Sequence, residues 1–106
     1  MFKPEGVYVA MLTPFSADGT VNETELRRIV DFQIEAGVHG LFPVSSCGEF
    51  IHLTREEKVR MMEIVVDQNQ GRVRVTPGVG GSHPSESIYL AEKAKKLGCD
   101  GIVIAP

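Results

Sequence analysis

The sequence predicts an α/β fold built on a parallel sheet, a (βα)3β segment. Three observations predict it. Short runs that are apolar on both faces alternate with amphipathic helical patterns, as in a parallel sheet covered by helices. Helix-ending glycines recur at Gly37, Gly71 and Gly98, about 30 residues apart, the length of one βα unit. The turn Ala36-Gly37-Val38-His39-Gly40-Leu41 is echoed by Leu97-Gly98-Cys99-Asp100-Gly101-Ile102, so two helix-to-strand junctions share one grammar.

The elements follow in order. Gly6 to Leu12 is a nearly continuous apolar run and reads as a buried strand, broken by Thr13-Pro14-Phe15 and Ser16-Ala17-Asp18-Gly19. Asn22, with Glu25 three residues on, caps a helix whose stripe is Leu26, Ile29, Val30 and Ile34. Gly37 ends it, and Leu41-Phe42-Pro43-Val44 is the second strand. Thr54 with Glu57 repeats the capping signature ahead of Val59, Met62, Val65 and Val66; Gly71 closes that helix, and Val73 to Pro77 is the third strand. Ser82, His83 and Pro84 open a third helix with Leu90, Ala91, Ala94 and Leu97 as its stripe. Gly98 ends it before Ile102-Val103-Ile104-Ala105, the fourth strand. Tyr8, Phe42, Met61 and Met62 are core candidates. Glu56, Glu57, Lys58 and Arg60 read as a solvated helix face.

Length and composition narrow the function classes. The 106 residues carry 11 Lys and Arg against 14 Asp and Glu, a formal charge of -3. That leaves no basic field for nucleic acid or an anionic membrane. The two cysteines, Cys47 and Cys99, are too few to staple a secreted mini-domain, and a reducing, cytoplasmic setting is the simpler expectation. No run approaches the roughly 18 apolar residues of a membrane span. The chain stops directly after its fourth strand, where a small doubly wound domain would still need a helix. A full (β/α)8 barrel needs about 250 residues, so residues 1–106 are expected to be the N-terminal portion of one such domain, truncated after the fourth strand.

In parallel α/β folds the ligand lies at the carboxyl ends of the strands. That criterion selects Thr13-Pro14-Phe15, Ser45-Ser46-Cys47-Gly48-Glu49, Gly78-Val79-Gly80-Gly81 and Pro106. The second segment is the most informative, because its hydroxyls, thiol and glycine leave backbone N–H groups free to bind a small carboxylate such as a 2-oxo acid. Ser and Gly also turn chains after strands for no other purpose.

With these motifs in place the chain resembles the dihydrodipicolinate synthase and N-acetylneuraminate lyase family of pyruvate-dependent class I aldolases. The resemblance rests on Leu12-Thr13-Pro14-Phe15 with Asp18-Gly19, Gly37-Val38-His39-Gly40-Leu41, Gly48-Glu49-Phe50 with Leu53-Thr54-Arg55-Glu56-Glu57, Pro77-Gly78-Val79-Gly80 and Gly98-Cys99-Asp100-Gly101, all in the family's order. It implies a TIM (β/α)8 barrel in which a lysine forms a Schiff base with pyruvate or another 2-oxo acid, with no further cofactor and no metal. By the same match Ser46 belongs to a proton relay, Ser46 and Cys47 flank the bound carboxylate, Thr13 lies at the margin of the site, and Gly48, Glu49 and Gly78 support it structurally. Cys47 replaces a threonine, and a thiol is the weaker donor, so carboxylate binding would lean on backbone N–H groups. Ser45 stands where the family has glycine. Arg55 and Ser82 replace the His and Asn of lysine-inhibited synthases, so no feedback site is carried over.

The resemblance places the Schiff-base lysine beyond Pro106, and the segment alone is expected to be inactive. Lys3, Lys58, Lys93, Lys95 and Lys96 lack the burial or neighbouring cation that would make an amine nucleophilic. A dimer of dimers is implied for the full-length protein. The leading activity is the condensation of pyruvate with an aldehyde; a sugar-acid aldolase or dehydratase and a non-catalytic half-barrel that pairs its open edges are the alternatives. Other chemistries fit less well. Cys47 lies too far from Arg55 for a C-x5-R loop, and His39, His52 and His83 have no metal-binding spacing and read as surface or turn residues. Gly78-Val79-Gly80-Gly81 would need its third dinucleotide glycine at His83, so it reads as a turn allowing close backbone approach.

Overall fold

A computed structural model describes residues 6–44, 54–79 and 84–103. The elements are β1 (Tyr8–Ala10), α1 (Glu23–Glu35), β2 (Gly40–Phe42), α2 (Arg55–Asn69), β3 (Arg74–Val75) and α3 (Pro84–Leu97), the alternation expected from the sequence. The sheet order is β1-β2-β3 and both pairings are parallel, with Val9 beside Leu41 and Leu41 beside Val75. Of the fourth expected strand, Val103 forms a parallel bridge to Gly78, while Ile104 and Ala105 lie outside the described residues.

The helices begin where side chains can satisfy their first N–H groups. Asn22 Oδ1 accepts from Glu25 N at 3.0 Å, and Thr54 forms a complete capping box with Glu57. Two helix ends use the same three bonds, which accounts for their shared spelling. After α1, Gly37 N donates to Ile34 O, Val38 N to Gln33 O and His39 N to Val7 O; after α3, Gly98 N donates to Lys95 O, Cys99 N to Ala94 O and Asp100 N to Val75 O. Gly37 and Gly98 sit at φ +95° and +83°, the left-handed region that closes a helix and turns the chain back to the sheet.

The end of α2 is built differently. Gln70 takes the left-handed cap position, and the buried Asn69 amide clasps the next strand. Its Nδ2 donates to Val73 O at 2.8 Å and its Oδ1 accepts from Val73 N at 3.0 Å. Asn69→Leu leaves both backbone groups unsatisfied, and a loss of about 2 kcal/mol in urea unfolding is expected; a loss below the error of the measurement would show that water replaces the amide.

The core lies between the sheet and the helices and includes Met11, Leu26, Val30, Leu41, Met61, Met62, Val65, Leu90 and Ala94. The sequence reading needs two corrections. The first strand is half-buried rather than buried, with Val7 and Leu12 exposed, because among the described residues β1 has a paired strand only on its β2 side. Lys58 is not on a solvated face: its side chain is 5% exposed, and Nζ lies 3.5 Å from Glu86 Oε1 of α3. Lys58 is three and four residues before Met61 and Met62, so the helical period turns it toward the core with them. Arg60 does reach solvent and, at 2.6 Å, binds Glu23 of α1, which Arg27 also contacts. Those hydrogen bonds, from Arg60 first and Arg27 second, hold the Glu23 carboxyl below its ordinary pKa.

Candidate active-site rim

The parallel sheet brings the carboxyl ends of its strands together as one rim. After β2 the chain runs through Pro43 and Val44, both buried; after β3 it runs through Pro77, Gly78 and Val79, also buried. Gly78 N donates to Pro43 O at 2.9 Å, Val79 N to Val103 O at 3.0 Å and Val103 N to Pro77 O at 2.9 Å. Three consecutive strand ends are therefore fastened backbone to backbone.

Thr13, beyond β1, is half-buried on this side, and its hydroxyl lies 3.6 Å from Met61 Sδ as a donor. Gly78 is a point of close approach: a Cβ there would collide with the carbonyl oxygen of Val44. Val44 itself has φ +59°, rare for a β-branched residue, and sequence reasoning gave no sign of it. Ser46, Cys47, Gly48 and Glu49, the central residues expected at the site, lie outside the described residues, as do His52 and His83.

A cleft of about 570 Å³ opens at the other end of the sheet, where His39, Arg72, Arg74 and Asp100 precede or begin the strands. Its polar groups are engaged in holding the fold. His39 Nδ1 accepts from Val7 N at 2.9 Å, Arg72 pairs with Asp31 at 2.6 Å, and Asp100 accepts from Val75 N at 2.8 Å and contacts Arg74 at 3.3 Å. In a parallel barrel that end serves stability and the opposite rim serves chemistry. No group of three or more His, Cys, Asp and Glu side chains that could hold a metal ion occurs among the described residues. No helix among them is long and apolar enough to cross a membrane.

Cys99 is a free thiol, half-buried at the α3 junction. Burial first, and the neighbouring Asp100 carboxylate second, push it up to about 11 from 9.0. At pH 8 it should hold roughly a hundredfold less thiolate than an ordinary cysteine and alkylate correspondingly slowly, as read by site-resolved mass spectrometry. Because the folded state favours the protonated thiol, this contribution to stability is present below about pH 9 and lost as the pH rises toward about 11. The melting temperature of the native chain should fall more steeply over that window than that of Cys99→Ala. Parallel curves would show that the thiol titrates normally.

A parallel α/β sheet whose strand ends converge on one rim is the scaffold of barrel and doubly wound enzymes, which bind their ligands at that rim. The chain belongs to the dihydrodipicolinate synthetase family, whose sequence model matches residues 3–106. It is 48% identical over 104 residues to a 4-hydroxy-tetrahydrodipicolinate synthase of Pelobacter propionicus, covering 98% of this chain and 35% of that protein. Among solved structures, YagE, a prophage protein of the dihydrodipicolinic acid synthase family from E. coli K12 in complex with pyruvate, superposes with a TM-score of 0.91 at 37% identity, over 93% of this chain and 33% of that one. N-acetylneuraminate lyase from Mycoplasma synoviae gives 0.89 at 35% identity, over 93% and 35%. The chain thus spans about a third of the length of these relatives, and its fold is the corresponding part of their (β/α)8 barrel. Family members are lyases and synthases.

Proposed function

We propose that this chain is the N-terminal part of a Schiff-base lyase or synthase that acts on pyruvate or a related 2-oxo acid, with condensation onto an aldehyde as its reaction. The observation that carries the reading is the match over residues 3–106 to a family with a pyruvate-bound member, together with strand ends fastened into one rim. On this reading Ser46 is a proton-relay hydroxyl, Cys47 and Ser46 receive the carboxylate of the 2-oxo acid, and Thr13 lies at the edge of the site. Gly48, Glu49 and Gly78 are structural residues near the site. The nucleophilic amine belongs to a later strand of the full-length protein, which assembles as a dimer of dimers in the cytoplasm. Lys58 fits the nucleophile's role poorly, because its Nζ faces Glu86 of α3, between two helices rather than at the strand ends.

The adduct forms when the amine attacks the ketone carbon of pyruvate and water leaves; borohydride then delivers hydride to the iminium and fixes a secondary amine. The test is the intact mass of the natural protein, followed by pyruvate and borohydride on the same sample. A mass near three times 11.6 kDa with one lysine carrying the reduced pyruvyl group is expected. A protein of 11.6 kDa that takes up no adduct would refute the enzymatic reading and leave the half-barrel as an interaction module.

A further inference from the structure

Val44 is an expensive residue at its position. It is 2% exposed, it lies two residues after β2, and its φ of +59° is one that a β-branched residue rarely adopts. Glycine adopts that conformation freely. Two features hold valine there instead: its side chain is buried in the core, and its carbonyl is seated on Gly78, where a Cβ would collide with that oxygen. The seat is rigid. Gly78 N is bonded to Pro43 O, the carbonyl just before Val44, and Val79 N and Val103 N tie the same stretch to the next strand end. Phe42 narrows the seat as well: a Cβ on Gly78 would also crowd its ring.

Strain of this kind persists only where the surroundings over-determine it, and it concentrates where geometry serves function. We propose that the left-handed turn at Val44, wedged on Gly78, is a positioning device that sets the direction in which the chain leaves β2 at the catalytic rim, and so tunes affinity for the 2-oxo acid. The proposal rests on the pyruvate reading above. Val44 touches no reacting atom in this role; it acts through its own backbone turn.

The test uses the full-length protein and three variants. Gly78→Ala pushes the Val44 carbonyl off its seat. Val44→Gly removes the buried anchor and frees the turn. Val65→Ala opens a cavity in α2, away from the rim, and serves as a matched loss of stability. The KM for pyruvate, kcat and the melting temperature are measured for each. Gly78→Ala should raise KM at least tenfold and Val44→Gly severalfold, while Val65→Ala lowers the melting temperature with KM unchanged. If Gly78→Ala does not fold, the Val44→Gly and Val65→Ala pair decides alone. KM values that follow the loss of melting temperature equally in all variants would overturn the positioning role. A native protein that yields no borohydride-trapped pyruvate adduct overturns the pyruvate reading itself, a different result from an adduct-forming enzyme whose KM ignores the turn.

Discussion

Leu41→Ala is expected to cost about 3–5 kcal/mol, a large share of the roughly 5–15 kcal/mol that stabilises a chain of this size. Leu41 is fully buried in β2, the central strand, and pairs with Val9 on one side and Val75 on the other. The cavity would open on the core face of the sheet, beside strands whose backbones are locked by parallel bonds, with Thr76 N donating to Leu41 O at 2.9 Å, so the strands have little freedom to collapse into it. Phe32→Ala supplies the contrast: it removes a larger side chain, but one that is 72% exposed on α1, and should change stability by about 0.5 kcal/mol or less. Urea titration followed by circular dichroism reads both. A Leu41→Ala midpoint close to that of Phe32→Ala would mean that the β2 side chain is not a core contact.

Much of this architecture was legible because its signals are local. Apolar runs, capping residues and left-handed glycines act over three to five residues, and Asn22, Thr54, Gly37 and Gly98 do in the fold what their spacing implied. The misread positions share a different cause. For β1, an apolar run spells an edge strand and a central one alike, and only the neighbour decides its burial. For Lys58 the period of α2 was informative, since it shares the face of Met61, Met62 and Val65, but its charge argued for solvent. Its partner, Glu86 on α3, lies across a tertiary contact that spacing within a helix does not encode. The rim was legible as a set of strand ends. The turn at Val44 was not, because nothing in valine's chemistry announces a positive φ; the close approach at Gly78 that supports it is a property of two strands together.

The Lys58 and Glu86 pair leads to the second large effect, an asymmetric one. Glu86→Ala should destabilise by about 2–3 kcal/mol, since it removes the carboxylate that faces Lys58, whose side chain is only 5% exposed. Lys58→Met should cost less than about 1 kcal/mol: the methionine keeps most of the aliphatic stem beside Met61 and Met62, and Glu86, 21% exposed, can turn to water. The double variant should then recover most of what Glu86→Ala loses. The pair joins α2 to α3, so the same change should speed amide exchange at that helix interface before it affects the contact of α1 with α2. Raising the salt concentration should alter the Glu86→Ala cost only slightly, because screening acts weakly on a buried pair. Equal and small losses for the two single variants would return Lys58 to solvent, as its charge alone suggests. A loss confined to Glu86→Ala shows instead that α2 buries a charge on its core-facing stripe because α3 answers it.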